Sequence, residues 1–211
     1  MKFYDFTLAP NPRRVRMFMA EKGIALPETI QVNTREREQF ADWFQAINAR
    51  STVPVLELDD GTRITESVSI CRYFEALHPE PSLLGRDARE QALIDMWNRK
   101  VEIECFNHVG DALRNGAPMF EGRAIAGYAS GMPQIQALAE RGRRCFQDFL
   151  VGLDHRLATS RFIAGDEFSI ADITAVVAID TAKRVELEIP ENLANARRWY
   201  DEVSARPSAQ A

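Results

Sequence analysis

The pattern of apolar residues changes near residue 80, and this change restricts the folds that the chain can adopt. Before it, short apolar runs alternate with helical patterns in the order strand, helix, strand, helix, strand, strand, helix. Asp60-Gly61 separates the last two strands, and glycine supplies the positive φ that a tight hairpin turn needs. These features predict a small mixed α/β domain over residues 1–78.

Helical patterns dominate the remainder of the chain. Pro79 and Pro81 mark a stiff connector, and we place a linker at residues 79–86. Apolar residues then recur at helical spacing through residues 87–114 and 135–157. We therefore predict an all-α bundle domain over residues 87–211.

Charge, hydropathy and cysteine usage argue against several kinds of partner. The net charge of -5 disfavours nucleic acid or an anionic membrane surface, since both need a concentrated basic patch. The sequence has no apolar run long enough to span a membrane and no signal peptide pattern, so we expect a cytoplasmic protein. Its three cysteines lack CxxC spacing, and we expect neither a metal site nor a disulfide framework.

A proline stands near the beginning of the third predicted strand, in Thr52-Val53-Pro54-Val55-Leu56. Proline cannot donate to a strand ladder, so it belongs at an edge or a bend. If the Val53–Pro54 bond is cis, the amide and carbonyl of Val53 would be free to pair with an extended peptide ligand. An ordinary trans proline with a structural role explains the same residues.

The fourth predicted strand ends in a helix at Thr65-Glu66-Ser67-Val68. A helix N-terminus presents free N–H groups that suit a carboxylate, and Ser67 adds a hydroxyl. Glu66 could pair with an amino group, so the two residues suit both ends of an α-amino acid. Simple helix capping by Thr65 or Ser67 is the alternative interpretation.

Taken together, the PRRVR run, the VPVL strand, the DG hairpin and the ESVSI helix start resemble the thioredoxin-like domain of cytosolic glutathione transferases. The resemblance continues through the helical half. There, Ser169 and Asp172 form a capping box, and Phe168 and Ile173 a hydrophobic staple, in a segment typical of that family. The resemblance implies a thioredoxin-like βαβαββα domain followed by a helical bundle, and a homodimer in which the first domain of one subunit packs against the second domain of the other.

The resemblance also implies how glutathione is held. The backbone of Val53 would pair with its cysteinyl part, Pro54 would set the bend, and Glu66 and Ser67 would hold the γ-glutamyl end. Gln39 and Arg50 lie where relatives hold the glycyl carboxylate. The family often has lysine just before the valine, whereas this chain has Thr52, so the glycyl end departs from the pattern.

The residue that activates the thiol departs from the family pattern as well. Family members commonly place Tyr, Ser or Cys near the end of the first strand or the start of the first helix, but Ala9 stands opposite the serine of the Ser-type classes and no cysteine lies nearby. Asn11, with Thr7 behind it, is the candidate that remains, as in some bacterial relatives. Because Pro12 follows it, Asn11 also fits a helix N-cap with proline at the first helical position.

The resemblance implies conjugation of the glutathione thiolate to small hydrophobic electrophiles, with glutathione as co-substrate and no metal. The electrophile pocket is expected against the first long helix of the bundle, at Trp97, Val101, Cys105 and Phe106, although helical spacing also explains these residues as core. Two other functions stay open. One is a glutathione-dependent isomerase or disulfide or peroxide reductase, and the other is a non-catalytic binding protein of the same fold.

Overall fold

The computed structural model describes residues 1–211 and contains four strands and eight α-helices. The first part holds β1 (Lys2–Asp5), α1 (Pro10–Glu21), β2 (Glu28–Gln31), α2 (Asp42–Gln45), β3 (Val55–Glu57), β4 (Arg63–Thr65) and α3 (Ser67–Leu77). The second part holds α4 (Ala88–Val101), α5 (Asn107–Gly116), α6 (Gln136–Leu157), α7 (Ile170–Ala182) and α8 (Ala194–Ser204). None of these helices combines the length and the apolar character that crossing a membrane requires.

The four strands form one mixed sheet in the order β2-β1-β3-β4. β1 is parallel to β2 and antiparallel to β3, and β3 is antiparallel to β4. Tyr4 lies opposite both Ile30 and Val55 in this register. The predicted fold class is therefore confirmed: a thioredoxin-like βαβαββα unit is followed by helices only.

The sequence FADWFQAIN at residues 40–48 has a helical pattern, but the second helix is shorter than this pattern. The structure has only the four residues Asp42–Gln45 in α2. Asn48 ends the helical pattern because its side chain donates to the carbonyl of Thr52 at 2.8 Å and accepts the amide of Arg50 at 3.0 Å. Such local side-chain bonds compete with continuation of a helix.

The helical part is built around α7. Twelve of its 13 residues are buried, and its sequence is apolar on all sides, as a central helix requires. The predicted capping box at Ser169 and Asp172 is present. Around α7, α4 and α5 are joined by a π-helical segment at Glu102–Phe106.

The two parts share one continuous hydrophobic core. Residues 78–87, between α3 and α4, form neither helix nor strand. The core nevertheless joins Phe3, Phe18 and Phe74 of the first part to Phe146 and Trp199 of the second. This shared packing holds the edge of the sheet unit against the helices and leaves a cleft between them.

Candidate functional site

A cleft of about 970 Å³ lies between the sheet unit and the helical part. The first part contributes Phe6, Leu8, Ala9, Asn11, Gln39, Ser51 and Val53 to its walls, and the second contributes Phe106, Arg114, Met119, Phe120, Arg123 and Tyr128. Pockets of this size and mixed character are typical of small-molecule sites between domains.

Val53 offers an open backbone edge on this cleft. The Val53–Pro54 bond is cis, and β3 begins only at Val55. Neither the N–H nor the C=O of Val53 forms a backbone hydrogen bond, although the carbonyl of neighbouring Thr52 is held by Asn48. An extended peptide ligand can pair with these two groups as an added strand would.

The beginning of α3 lies next to the beginning of α1. Ser67, the first residue of α3, is buried, and its hydroxyl donates to the backbone carbonyl of Asn11 at 3.0 Å. The preceding residue, Glu66, is exposed, forms no ion pair, and has φ 65° and ψ 121°. A non-glycine residue at such angles costs on the order of 1–3 kcal/mol and is typical of functional sites. Glu66 therefore presents a free carboxylate beside unpaired helix N–H groups.

The first turn of α1 corrects the capping interpretation of Asn11. The helix begins at Pro10 with Ala9 as N-cap, so Asn11 is its second residue and is not the cap. Pro10 and Pro12 have no N–H, and the N–H of Arg13 bonds to the carbonyl of Ala9. The backbone N–H of Asn11 is thus the one unpaired amide of the first turn, at the positive end of the helix dipole.

The side chain of Asn11 is oriented by Arg14. A guanidinium nitrogen of Arg14 donates to Oδ1 of Asn11 at 3.4 Å. The same guanidinium group donates to Glu102 at 2.7 Å and to Thr174 at 2.9 Å, so it is anchored in the helical part. With Oδ1 engaged, the amide NH₂ group of Asn11 has no partner in the protein and is free to donate into the cleft.

Three other predicted residues of the first part lie in different surroundings. Gln39 is buried, lines the cleft, and has an Oε1 atom without a hydrogen-bond partner. Arg50 is exposed and is not among the lining residues, although its guanidinium group lies 5.1 Å from the ring of Tyr128, which does line the cleft. Thr7 lies outside the cleft too, and its hydroxyl donates to Gln31 at 3.0 Å.

The four residues predicted for the electrophile pocket lie in different places. Of these four only Phe106 lines the cleft. Trp97 and Val101 line a separate cavity of about 440 Å³, and Cys105 is fully buried. The physical reason is that residues 97, 101 and 105 share one helix face, and the cavity that Trp97 and Val101 line is closed on its other side by α6, whereas Phe106 follows on another face.

Sequence reasoning also missed the far wall of the cleft. Phe120, Arg123 and Tyr128 belong to the segment between α5 and α6, where glycine and proline interrupt the helical pattern of the sequence. The available signal was a concentration of aromatic and arginine side chains in a loop, where binding residues are common.

None of the cleft residues is a cysteine. Burial raises the pKa of the Cys71 thiol to about 12 and raises that of Cys105 as well. No group of three His, Cys, Asp or Glu side chains is placed to hold a metal ion. The side-chain groups that could act on a ligand in the cleft are therefore hydrogen-bond donors, arginines and aromatic rings.

Fold and site together define a thioredoxin-like ligand-binding domain joined to a helical domain. Models of the N-terminal and C-terminal domains of glutathione S-transferase match residues 9–77 and 129–207. Glutathione S-transferase 2 of Saccharomyces cerevisiae is 34% identical over 100% of this chain and 88% of that relative.

The crystal structure of Gtt2 from Saccharomyces cerevisiae superposes with a TM-score of 0.90 at 33% identity, covering 100% of this chain and 99% of that one. More distantly, maleylacetoacetate isomerase of Rattus norvegicus is 26% identical over 88% of this chain and 80% of the relative. The chain belongs to the glutathione S-transferase family.

Proposed function

We propose that the enzyme joins the sulfur of glutathione to small electrophiles that enter the cleft between its two parts. The observation that carries this proposal is the convergence of three features, two of which line the cleft while the third is bonded directly to it through Asn11. These are the open backbone of Val53, the start of α3 at Ser67, and the start of α1 at Asn11. They offer complementary partners for the peptide backbone, the amino-acid end and the thiol of one tripeptide.

Each end of glutathione has a partner in this proposal. The cysteinyl amide and carbonyl pair with Val53 beside Pro54, and the γ-glutamyl carboxylate takes the N–H groups at Ser67. The α-amino group pairs with the free carboxylate of Glu66. The glycyl carboxylate lies towards the side chain of Gln39, which is buried and lines the cleft, whereas Arg50 is not among the lining residues.

Activation of the thiol is assigned to the first turn of α1. The backbone N–H and side-chain NH₂ of Asn11 donate to sulfur, and the helix dipole adds a partial positive charge. Hydrogen bonds to the charged form favour it, so the thiol pKa falls from about 8.5 towards neutrality. The thiolate then attacks an electrophilic carbon, a C–S bond forms, and the leaving group departs with the electrons of its bond.

A substrate panel tests the reaction class. We expect the rate enhancement over the uncatalysed reaction to be larger for an aryl halide than for a hydroperoxide, a mixed disulfide or a maleyl compound. Turnover of the maleyl or disulfide substrate alone would instead support an isomerase or reductase. Binding of glutathione with no turnover of any of the four would contradict the proposal and support a binding protein.

Replacement of Glu66 by glutamine is expected to raise the KM for glutathione about tenfold and leave kcat within about twofold. The change removes an ion pair that is made equally in the ground state and the transition state. Steady-state kinetics with varied glutathione measures it. Glu191→Gln, at an exposed glutamate without a partner, is the matched control. An unchanged KM in Glu66→Gln would remove Glu66 from the proposed binding site.

We also propose that the protein is a homodimer, as the family resemblance implies. Leu77, Leu93 and Met96 expose 52%, 37% and 40% of their surface on α3 and α4, which leaves apolar area available for a partner subunit. Sedimentation equilibrium distinguishes a monomer of 23.9 kDa from a dimer.

A further inference from the structure

The charges that line the cleft are opposite to those of the whole chain. The net charge of the protein is -5, yet the cleft walls hold four arginines, Arg35, Arg114, Arg123 and Arg184, and a single acidic residue, Asp111. No side chain of these arginines forms an ion pair, and Asp111 faces His108 at 3.7 Å. The cleft therefore concentrates uncompensated positive charge.

Arg114 and Arg123 form a pair around Phe120 on the helical wall. Their guanidinium carbons lie 4.7 and 5.5 Å from the centre of that ring. Arg123 donates to the carbonyl of Met119 at 2.8 and 3.1 Å, whereas the guanidinium group of Arg114 has no hydrogen-bond acceptor in the protein. Burial, and secondly the charge of Arg123, lower the pKa of Arg114.

Such an arrangement is unfavourable for the free protein. A half-buried guanidinium group without an acceptor loses hydration and gains no hydrogen bond in return. A second positive charge beside it adds repulsion. Proteins keep such unpaired or mutually repelling charges mainly at functional sites.

The other two arginines lie elsewhere on the cleft, since Arg35 belongs to the first part and Arg184 lies just after α7 in the second. Arg184 donates to the carbonyl of Leu8 at 2.7 Å, next to the start of α1. Its pKa is lowered by burial and then by Arg35, so these two charges lie near each other. Arg114 and Arg123 belong to the helical part, on the wall that also carries Phe106, Phe120 and Tyr128, whereas the residues proposed to hold glutathione all belong to the first part.

We infer that Arg114 and Arg123 bind a carboxylate of the electrophilic substrate, so that the preferred acceptors are aromatic or unsaturated acids. This inference rests on the proposed function, because it concerns the second substrate of that reaction. Planar guanidinium groups match carboxylates in bidentate geometry. Phe106, Met119 and Tyr128 on the same wall supply an apolar surface for the body of such a molecule.

A matched pair of aryl chlorides tests the inference. The pair is 4-chloro-3,5-dinitrobenzoate and 1-chloro-2,6-dinitrobenzene, which differ only in the carboxylate. In both, the C–S bond forms and chloride leaves. We expect kcat/KM, divided by each uncatalysed rate constant, to be about tenfold higher for the carboxylate. The double variant Arg114→Gln/Arg123→Gln should bring this ratio close to one and leave the KM for glutathione within about twofold. Arg144→Gln, at an exposed arginine outside the cleft, should keep the preference.

A binding measurement separates this inference from the proposed reaction. Calorimetry with S-methylglutathione present compares 3,5-dinitrobenzoate with 1,3-dinitrobenzene, neither of which needs turnover. Tighter binding of the carboxylate that depends on Arg114 and Arg123 supports the inference even if no conjugation occurs. Turnover of the neutral chloride without any preference for the carboxylate, or a preference that survives in the double variant, overturns the inference and leaves the proposed function intact.

Discussion

Replacement of Asp172 by alanine is expected to lower the free energy of unfolding by about 3 kcal/mol at pH 7. Its Oδ1 accepts the amide of Ile163 at 3.0 Å and the indole N–H of Trp199 at 2.8 Å. Its Oδ2 accepts the amide and the hydroxyl of Ser169 at 3.0 and 3.1 Å. The carboxylate is fully buried, so its removal strands these donors away from water and leaves a cavity. For a chain of this length the melting temperature should fall by about 6–12 °C.

The same substitution should show a distinctive dependence on pH. Burial raises the pKa of the Asp172 carboxyl from its ordinary 3.8 to about 6. Between these values the folded state binds more protons than the unfolded state, so the contribution of Asp172 to stability is greatest at low pH and falls as pH rises through 6. The stability difference between the native protein and the variant should therefore widen from pH 7 to pH 4, by at most about 1.4 kcal/mol for each pH unit.

Chemical denaturation of the two proteins at pH 4, 5, 6 and 7 measures this difference. Asp201→Ala, at an exposed aspartate of α8 without a side-chain partner, is the control and should be close to neutral at every pH. Ser169→Ala should cost only about 1 kcal/mol, because a single capping hydroxyl is lost. A difference for Asp172→Ala that stays constant from pH 4 to pH 7 would show that the native carboxyl does not retain its proton there.

Replacement of Asn11 by alanine is expected to lower kcat/KM for conjugation ten- to hundredfold. The side-chain NH₂ group is the free donor at the start of α1, and a hydrogen bond to a charged group contributes about 1.5–3 kcal/mol. The thiol pKa of bound glutathione should rise by about one to two pH units in the variant, since the thiolate loses this donor. Absorbance of the bound thiolate against pH measures the shift independently of turnover.

Two further measurements make the test of Asn11 specific. Asn192→Ala, at an exposed asparagine without partners, should leave both the pKa and kcat/KM unchanged. The KM for glutathione in Asn11→Ala should change by less than about threefold, because the peptide contacts remain. If the thiol pKa in Asn11→Ala equals that of the native protein, the backbone N–H and the helix dipole activate sulfur alone and the side chain has no catalytic part.

The fold and the residues expected to hold glutathione could be predicted from the sequence because each prediction depends on a few neighbouring residues. The Asp60-Gly61 turn, the alternation of β and α patterns, and the long helical repeats each lie within a few neighbouring residues. The same holds for Val53-Pro54 and for the helix start at Glu66 and Ser67. Local chemistry determined where a backbone edge and two helix N-termini would occur along the chain.

The tertiary structure alone decided which side chains meet across the cleft. The spacing of residues 97, 101 and 105 correctly indicates a shared helix face, but spacing cannot tell whether that face packs on α6 or lines a cavity between domains. Arg114 and Arg123 are brought together around Phe120 by the path of a loop that has no periodicity. The sequence by itself thus determined the order of the elements and the positions of the Val53-Pro54 bend and of two helix N-termini. The opposite wall of the cleft depended on packing between segments that are distant in the chain, and no local sequence pattern reports the free energy of that packing.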